Sequence, residues 1–143
     1  MDYYLIDYEN VHKEIVGFLE SITKDSTMII FYSDHSGPIP PEIVTICECK
    51  GIQLISYKVR LTGEKNALDF QLVSYLGHLI GEQETDTNYY IISHDRGYDC
   101  VCEFWEEQGL QVKRIGVQKE NGKLQTKKQR NPNRNNQNSR LLL

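Results

Sequence analysis

The strongest constraint on the fold of this 143-residue chain is the alternation of short apolar runs with stretches of helical spacing. Residues 3–6, 28–32, 52–59, 89–93 and 110–117 read as strands. Val11, Ile15, Phe18, Leu19 and Ile22 recur at the spacing of one helix face, predicting a helix over 11–22. Pro40-Pro41 opens a second helix and Gly51 closes it. Residues 66–80 and 98–108 predict two more, the last closed by Gly109. Strands that alternate with helices imply a parallel sheet covered on both faces, and right-handed crossovers put helices on each side. The expected class is therefore α/β, a three-layer α/β/α sandwich around a mostly parallel five-stranded sheet.

One residue breaks the apolar pattern. At about 100° per residue, Leu68, Leu72, Leu76, Leu79 and Ile80 fall on one arc of the 66–80 helix, and Asp69 falls inside it. An unpaired charge there costs several kcal/mol (an order-of-magnitude figure) or shifts its pKa instead. A cation, a metal or a water-filled cleft must compensate it. Lys65, one turn earlier, is a candidate partner.

Charge divides the chain in two. Residues 1–118 hold 9 Lys+Arg and 19 Asp+Glu, whereas residues 119–143 hold 7 Lys+Arg and one Glu. The expected organisation is a folded acidic domain over 1–118 and a basic, Asn-rich tail over 119–143, either flexible and solvated or an arm that attracts nucleic-acid phosphates. A protein relying on phosphate neutralisation alone would not have so acidic a body. One that holds divalent cations with carboxylates would. The cysteines, Cys47, Cys49, Cys100 and Cys102, form two i,i+2 pairs whose spacing is poor for one metal site, and disulfides are not expected in the cytoplasm, so they read as reduced thiols. No run of 18 apolar residues and no leader pattern occur, so no membrane span is expected and the cytoplasm is the default location.

In an open parallel sheet, ligands bind beyond the carboxyl ends of the strands, where the strand order reverses. Asp7 follows the first strand, Asp95 the fourth, and Asp99 comes one turn after Asp95. If the first and fourth strands are neighbours, Asp7, Asp69, Asp95 and Asp99 can meet at one edge. Each also has a structural use: Asp7 in a turn, Asp95 as a helix cap, Asp99 beside a helix dipole. Together they suit Mg²⁺ or Mn²⁺, hard cations that take oxygen ligands and activate water for attack on phosphorus. No glycine-rich phosphate loop or Ser-His-Asp order competes. A phosphorylated receiver would need an acid ending the third strand, where Tyr57-Lys58-Val59 stands. A haloacid-dehalogenase-type phosphatase would need Asp-x-Asp, where Asp7-Tyr8-Glu9 stands.

Three segments carry a resemblance. Leu5-Ile6-Asp7-Tyr8-Glu9-Asn10-Val11 is similar to the Asp-x-x-Asn opening of PIN-like nuclease domains, including the NYN branch. Asn66-Ala67-Leu68-Asp69-Phe70-Gln71-Leu72 resembles their central acidic helix, and Ser93-His94-Asp95-Arg96-Gly97-Tyr98-Asp99 resembles their Ser-x-Asp-x-Gly-[Phe/Tyr]-Asp segment. The motifs occur in family order over roughly residues 3–115, and the likeness is nearest to small stand-alone bacterial members.

The resemblance implies strand order 3-2-1-4-5 and a metal-dependent ribonuclease. Asp7, Asp69, Asp95 and Asp99 would hold Mg²⁺ or Mn²⁺, and Asn10 and Ser93 would orient a water or a carboxylate. Glu9, beside Asp7, departs from the pattern and either adds a ligand or faces solvent. Lys58, Arg60, Lys65 and Arg96 are candidate RNA-phosphate contacts, or an ordinary solvated surface, and Tyr8 or Tyr98 a base-stacking ring. RNA is the expected partner, with a homodimer an open option. The alternatives are a non-catalytic RNA-binding module that kept the fold, or a DNA nuclease. Toxin, RNA-processing and defence roles are all compatible with such a protein.

Overall fold

The computed structural model describes residues 1–82, 86–120 and 123–126. β1 (Asp2–Asp7), β2 (Ser26–Tyr32), β3 (Gln53–Lys58), β4 (Asn88–Ile92) and β5 (Val112–Ile115) form one sheet in the order β3-β2-β1-β4-β5. Every pairing in it is parallel. The order matches the one implied by the sequence motifs. The chain leaves β1 toward β2 and returns later to β1's other side as β4, so the switch in strand order lies between β1 and β4.

β1 is the central strand, and its alternation separates two cores. Leu5, with Ile29 and Ile91 beside it, packs under α4 (Ala67–Glu82) and α5 (Asp99–Glu107) with Leu68, Leu72, Leu76 and Cys102. Ile6, with Ile30 and Ile92, faces the opposite layer: α1 (Tyr8–Val11), α2 (Ile15–Leu19) and α3 (Pro41–Lys50), through Val11, Ile15, Leu19 and Ile43. A one-residue slip of β1 would exchange the two layers, so burial on both faces fixes its register. The consequence for function is direct. Asp7 continues the Leu5 side and is aimed at the α4–α5 layer.

The helix ends follow from local chemistry. α3 starts at Pro41, and Gly51 at φ 69° ends it in the left-handed region that glycine adopts without strain. Lys50 Nζ donates to Leu19 O at 2.7 Å and Glu20 O at 2.9 Å, so its ammonium sits on the carbonyls at the end of α2. The four cysteines are free thiols, Cys47 and Cys102 buried and the other two exposed. Among the described residues, no helix is long and apolar enough to cross a membrane.

Two expectations change. The helix expected over 11–22 is broken: α1 ends at Val11, a 3-10 turn covers His12–Glu14, and α2 follows. His12 sits at φ 45°, ψ −136°, which a continuous helix does not permit. Periodicity carries through the break because Val11, Ile15, Phe18 and Leu19 still face one core. Regular structure also runs past residue 118. β6 (Val117–Glu120) and β7 (Lys123–Thr126) pair antiparallel, with β7 near α2. The rest of the expected tail, 127–143, lies outside the described residues.

Candidate active site

Three strand ends build the site. Ile6 is level with Ile92, so one residue further Asp7 and Ser93 stand side by side. Both are buried, at 4% and 0% exposure, and Ser93 Oγ donates to Asp7 Oδ2 at 2.9 Å. The same Ser93 oxygen accepts from the Asp95 backbone N–H at 3.1 Å, which fixes the turn after β4. Asn10 secures that turn from the other side: its Oδ1 accepts from the His94 N–H at 2.7 Å. Ser93 therefore touches a carboxylate directly, whereas Asn10 bonds a backbone N–H of the turn.

Asp95 caps the 3-10 turn Arg96–Tyr98, accepting from Gly97 N–H at 2.8 Å through Oδ1. A Cβ at residue 97 would stand 3.1 Å from that oxygen, so the turn favours glycine there. The turn delivers Tyr98 inward. Its hydroxyl lies 2.8 Å from Asp69 Oδ1 and 3.3 Å from Asp7 Oδ2. Asp69 stands in the first turn of α4, half-buried at the edge of the leucine stripe. The acid read as an intruder on an apolar face is therefore met by a hydroxyl, not by Lys65, which is exposed and makes no ion pair among the described residues.

Electrostatics separate the four candidate acids. Burial pushes the Asp7 carboxyl up to about 6; the Ser93 hydrogen bond opposes this, and the charges of Asp69 and Glu9 add to it. Burial also raises Asp69, opposed by Tyr98 and reinforced by Asp95 and Glu9. Burial raises the Tyr98 hydroxyl too, with Asp7 and Asp69 beside it. Asp7, Glu9, Asp69 and Asp95 thus share one field, and among the described residues no Lys or Arg pairs with any of them.

Asp99 is not part of that group. Its Oδ1 accepts from Arg114 Nε at 2.7 Å and its Oδ2 from Nη2 at 3.5 Å, while Nη1 donates to Ser93 O at 3.2 Å. Register explains the pairing. Arg114 is level with Ile91, whose side chain faces the α4–α5 layer, so Arg114 faces the start of α5. Arg114 is one residue that sequence reasoning missed. Another is Ser33, just past β2, 1% exposed, whose Oγ donates to Glu9 Oε1.

The expected RNA contacts are exposed. Lys58 pairs with Asp34 at 3.0 Å, whereas Arg60, Lys65 and Arg96 have no ion-pair partner among the described residues. The stacking role considered for Tyr8 and Tyr98 is corrected. Each ring is 3% exposed, Tyr8 in the core beside His12 and Tyr98 under the carboxylates, so neither offers a face to a base. Trp105 packs against the core.

Among the described residues, no three His, Cys, Asp or Glu side chains converge as a ready-made metal cage. The donor set nevertheless fits a hard cation. It is all oxygen, carries surplus negative charge without a Lys or Arg partner, and Mg²⁺ sites commonly use one or two carboxylates with the remaining positions left to water and phosphate.

A family model described as a PIN domain matches residues 1–115, and the chain belongs to that family. No curated protein and no solved structure matches it.

Proposed function

We propose that this PIN domain is a metal-dependent endoribonuclease that hydrolyses phosphodiester bonds in single-stranded RNA. PIN domains are generally nucleases, and the chain has their fold. The observation that carries the proposal is the meeting of Asp7 and Asp69, 62 positions apart in the sequence, on one Tyr98 hydroxyl at the strand-order switch. Asp95 and Glu9 add to their field. A protein gains no stability from grouping uncompensated carboxylates, so the arrangement answers to a ligand.

Asp7, Asp69 and Asp95 are the residues assigned to holding Mg²⁺ or Mn²⁺. When bound, such a cation supplies an activated water and stabilises the leaving oxygen. Ser93 holds Asp7 in its rotamer, Tyr98 holds Asp69, and Asn10 fixes the turn that carries Asp95. Arg60, Lys65 and Arg96 are few and exposed, suited to the phosphates of one strand.

The test is cleavage of single-stranded RNA, structured RNA and single-stranded DNA in Mn²⁺, Mg²⁺ or EDTA, wild type beside Asp95→Asn. Metal-dependent cutting of single-stranded RNA that the substitution removes is the expected result. RNA binding without cutting in any metal would replace the enzyme with a binding module, and preferential cutting of DNA would change the substrate.

A further inference from the structure

We infer that Glu9, and not Asp99, is the fourth carboxylate of this site, and that Ser33 is the residue that positions it. The inference rests on the nuclease reading and deepens it, because it names which side chains share the cation.

Asp99 is committed elsewhere. Both of its oxygens face the Arg114 guanidinium, and the remaining guanidinium nitrogen is tied to the Ser93 carbonyl. To reach a cation beside Asp7, Asp99 would have to leave a partner that stays charged at every working pH and that packs with 80% of its side chain covered, its exposure being 20%. Its charge is not among those that shift Asp7 or Asp69.

Glu9 is in the opposite situation. It lies two residues past Asp7, half-buried at the opening of α1, and no Lys or Arg pairs with it among the described residues. Its charge reaches both Asp7 and Asp69. Its side chain is not left to wander in solvent. Ser33 Oγ donates to Glu9 Oε1, and Ser33 is itself locked into the turn after β2. Its Oγ accepts from His35 N–H at 3.1 Å and its N–H donates to Ser36 Oγ at 3.0 Å. One oxygen of Glu9 is therefore anchored on β2's end while the carboxylate stays within the field of Asp7 and Asp69. Hard cations keep several waters, so a carboxylate at this remove can hold the ion through one of them.

The test is a Mn²⁺ titration, read by electron paramagnetic resonance or calorimetry without RNA, of wild type, Asp69→Asn, Glu9→Gln, Ser33→Ala and Asp99→Asn. Gln keeps the shape of Glu and an acceptor for Ser33, so Glu9→Gln is expected to melt no lower than wild type in EDTA. It is expected to bind Mn²⁺ about tenfold more weakly, the scale seen when groups around a metal's ligands are removed. Ser33→Ala weakens binding in the same direction but less. Asp99→Asn leaves the affinity unchanged and lowers the melting temperature, because it breaks a structural ion pair. Glu9→Gln that binds like wild type, or Asp99→Asn weakened as far as Asp69→Asn, overturns the inference and leaves the nuclease reading standing. Wild type that takes up no Mn²⁺ overturns both.

Discussion

The Tyr98 hydroxyl stands 2.8 Å from Asp69 and 3.3 Å from Asp7, with a single hydrogen to give to two carboxylates. The shorter contact goes to Asp69, and the same hydroxyl is within reach of Asp7, where it favours the ionised carboxyl. The structure thereby couples one tyrosine to the state of both acids.

Tyr98→Phe keeps the buried ring and removes that hydroxyl. The metal-free protein is expected to lose about 1.5–3 kcal/mol, the range for a hydrogen bond to a charged group. Asp69, half-buried, is freed to turn to solvent, so RNA cleavage falls with a weaker requirement-setting affinity for Mn²⁺. Urea unfolding in EDTA and cleavage across a Mn²⁺ series measure the two effects. Unchanged activity at low Mn²⁺ would show that Asp69 needs no tether.

Asp7 gives a pH prediction with a definite sign. Burial pushes its carboxyl up to about 6 from the ordinary value of 3.8. A raised carboxyl favours the folded state while protonated. That contribution is complete below 3.8 and is lost as pH rises through about 6. Asp7→Asn cannot ionise, so in EDTA at pH 7.5 it is expected to melt higher than wild type, the stability gain being on the order of 3 kcal/mol. The difference should shrink toward zero near pH 4. Melting curves of both proteins between pH 4 and 8 check this, and a substitution that destabilises at pH 7.5 would remove the buried-acid account. RNA cleavage by Asp7→Asn is expected to be lost at every pH.

Much of this site was legible in the sequence, because its signals are local. Leu5 and Ile6 announce a strand buried on both faces, and Asp69 announces a polar demand on an apolar stripe. The Ser93–Asp99 segment carries its own turn chemistry, realised in the Asp95 cap on Gly97. What the sequence did not supply depends on register and on ring orientation. The Asp99–Arg114 pair requires knowing that Arg114 is level with Ile91 on β4. Tyr98 looked like a surface aromatic until the turn at Asp95 pointed it inward. The break at His12 was hidden because a 3-10 turn between two short helices preserves nearly the same apolar spacing.

Arg114→Met tests the structural assignment of the Asp99 pair. Met retains much of the aliphatic packing and removes the guanidinium. Asp99 is 47% exposed, so solvent screens the pair and its coupling is modest. A double-mutant cycle with Asp99→Asn is expected to give about 0.5–1 kcal/mol. Arg114→Met alone should cost more than that coupling, because Ser93 O also loses its donor. A coupling near zero would mean that the two side chains do not hold each other in solution.

Ser93→Ala probes the most deeply buried polar group at the site. Ser93 is fully buried, donates to Asp7 and accepts from the Asp95 N–H. Removing its hydroxyl leaves the Asp95 N–H without its acceptor and Asp7 with the Tyr98 donor alone, and leaving a buried group unsatisfied costs about 1–3 kcal/mol. The donor that opposes the burial of Asp7 also disappears, so the Asp7 carboxyl is expected to move further above about 6. The pH dependence then separates this substitution from simple loosening of the fold. Below pH 4, where Asp7 is protonated in both proteins, the stability gap narrows to the loss at Asp95 alone. At pH 8 it widens, because wild type ionises Asp7 against a hydroxyl donor and the variant ionises it against a methyl group. Parallel stability curves across that range would show that Ser93 does not stabilise the Asp7 carboxylate, and Asp7 would then owe its setting to Tyr98 and to burial.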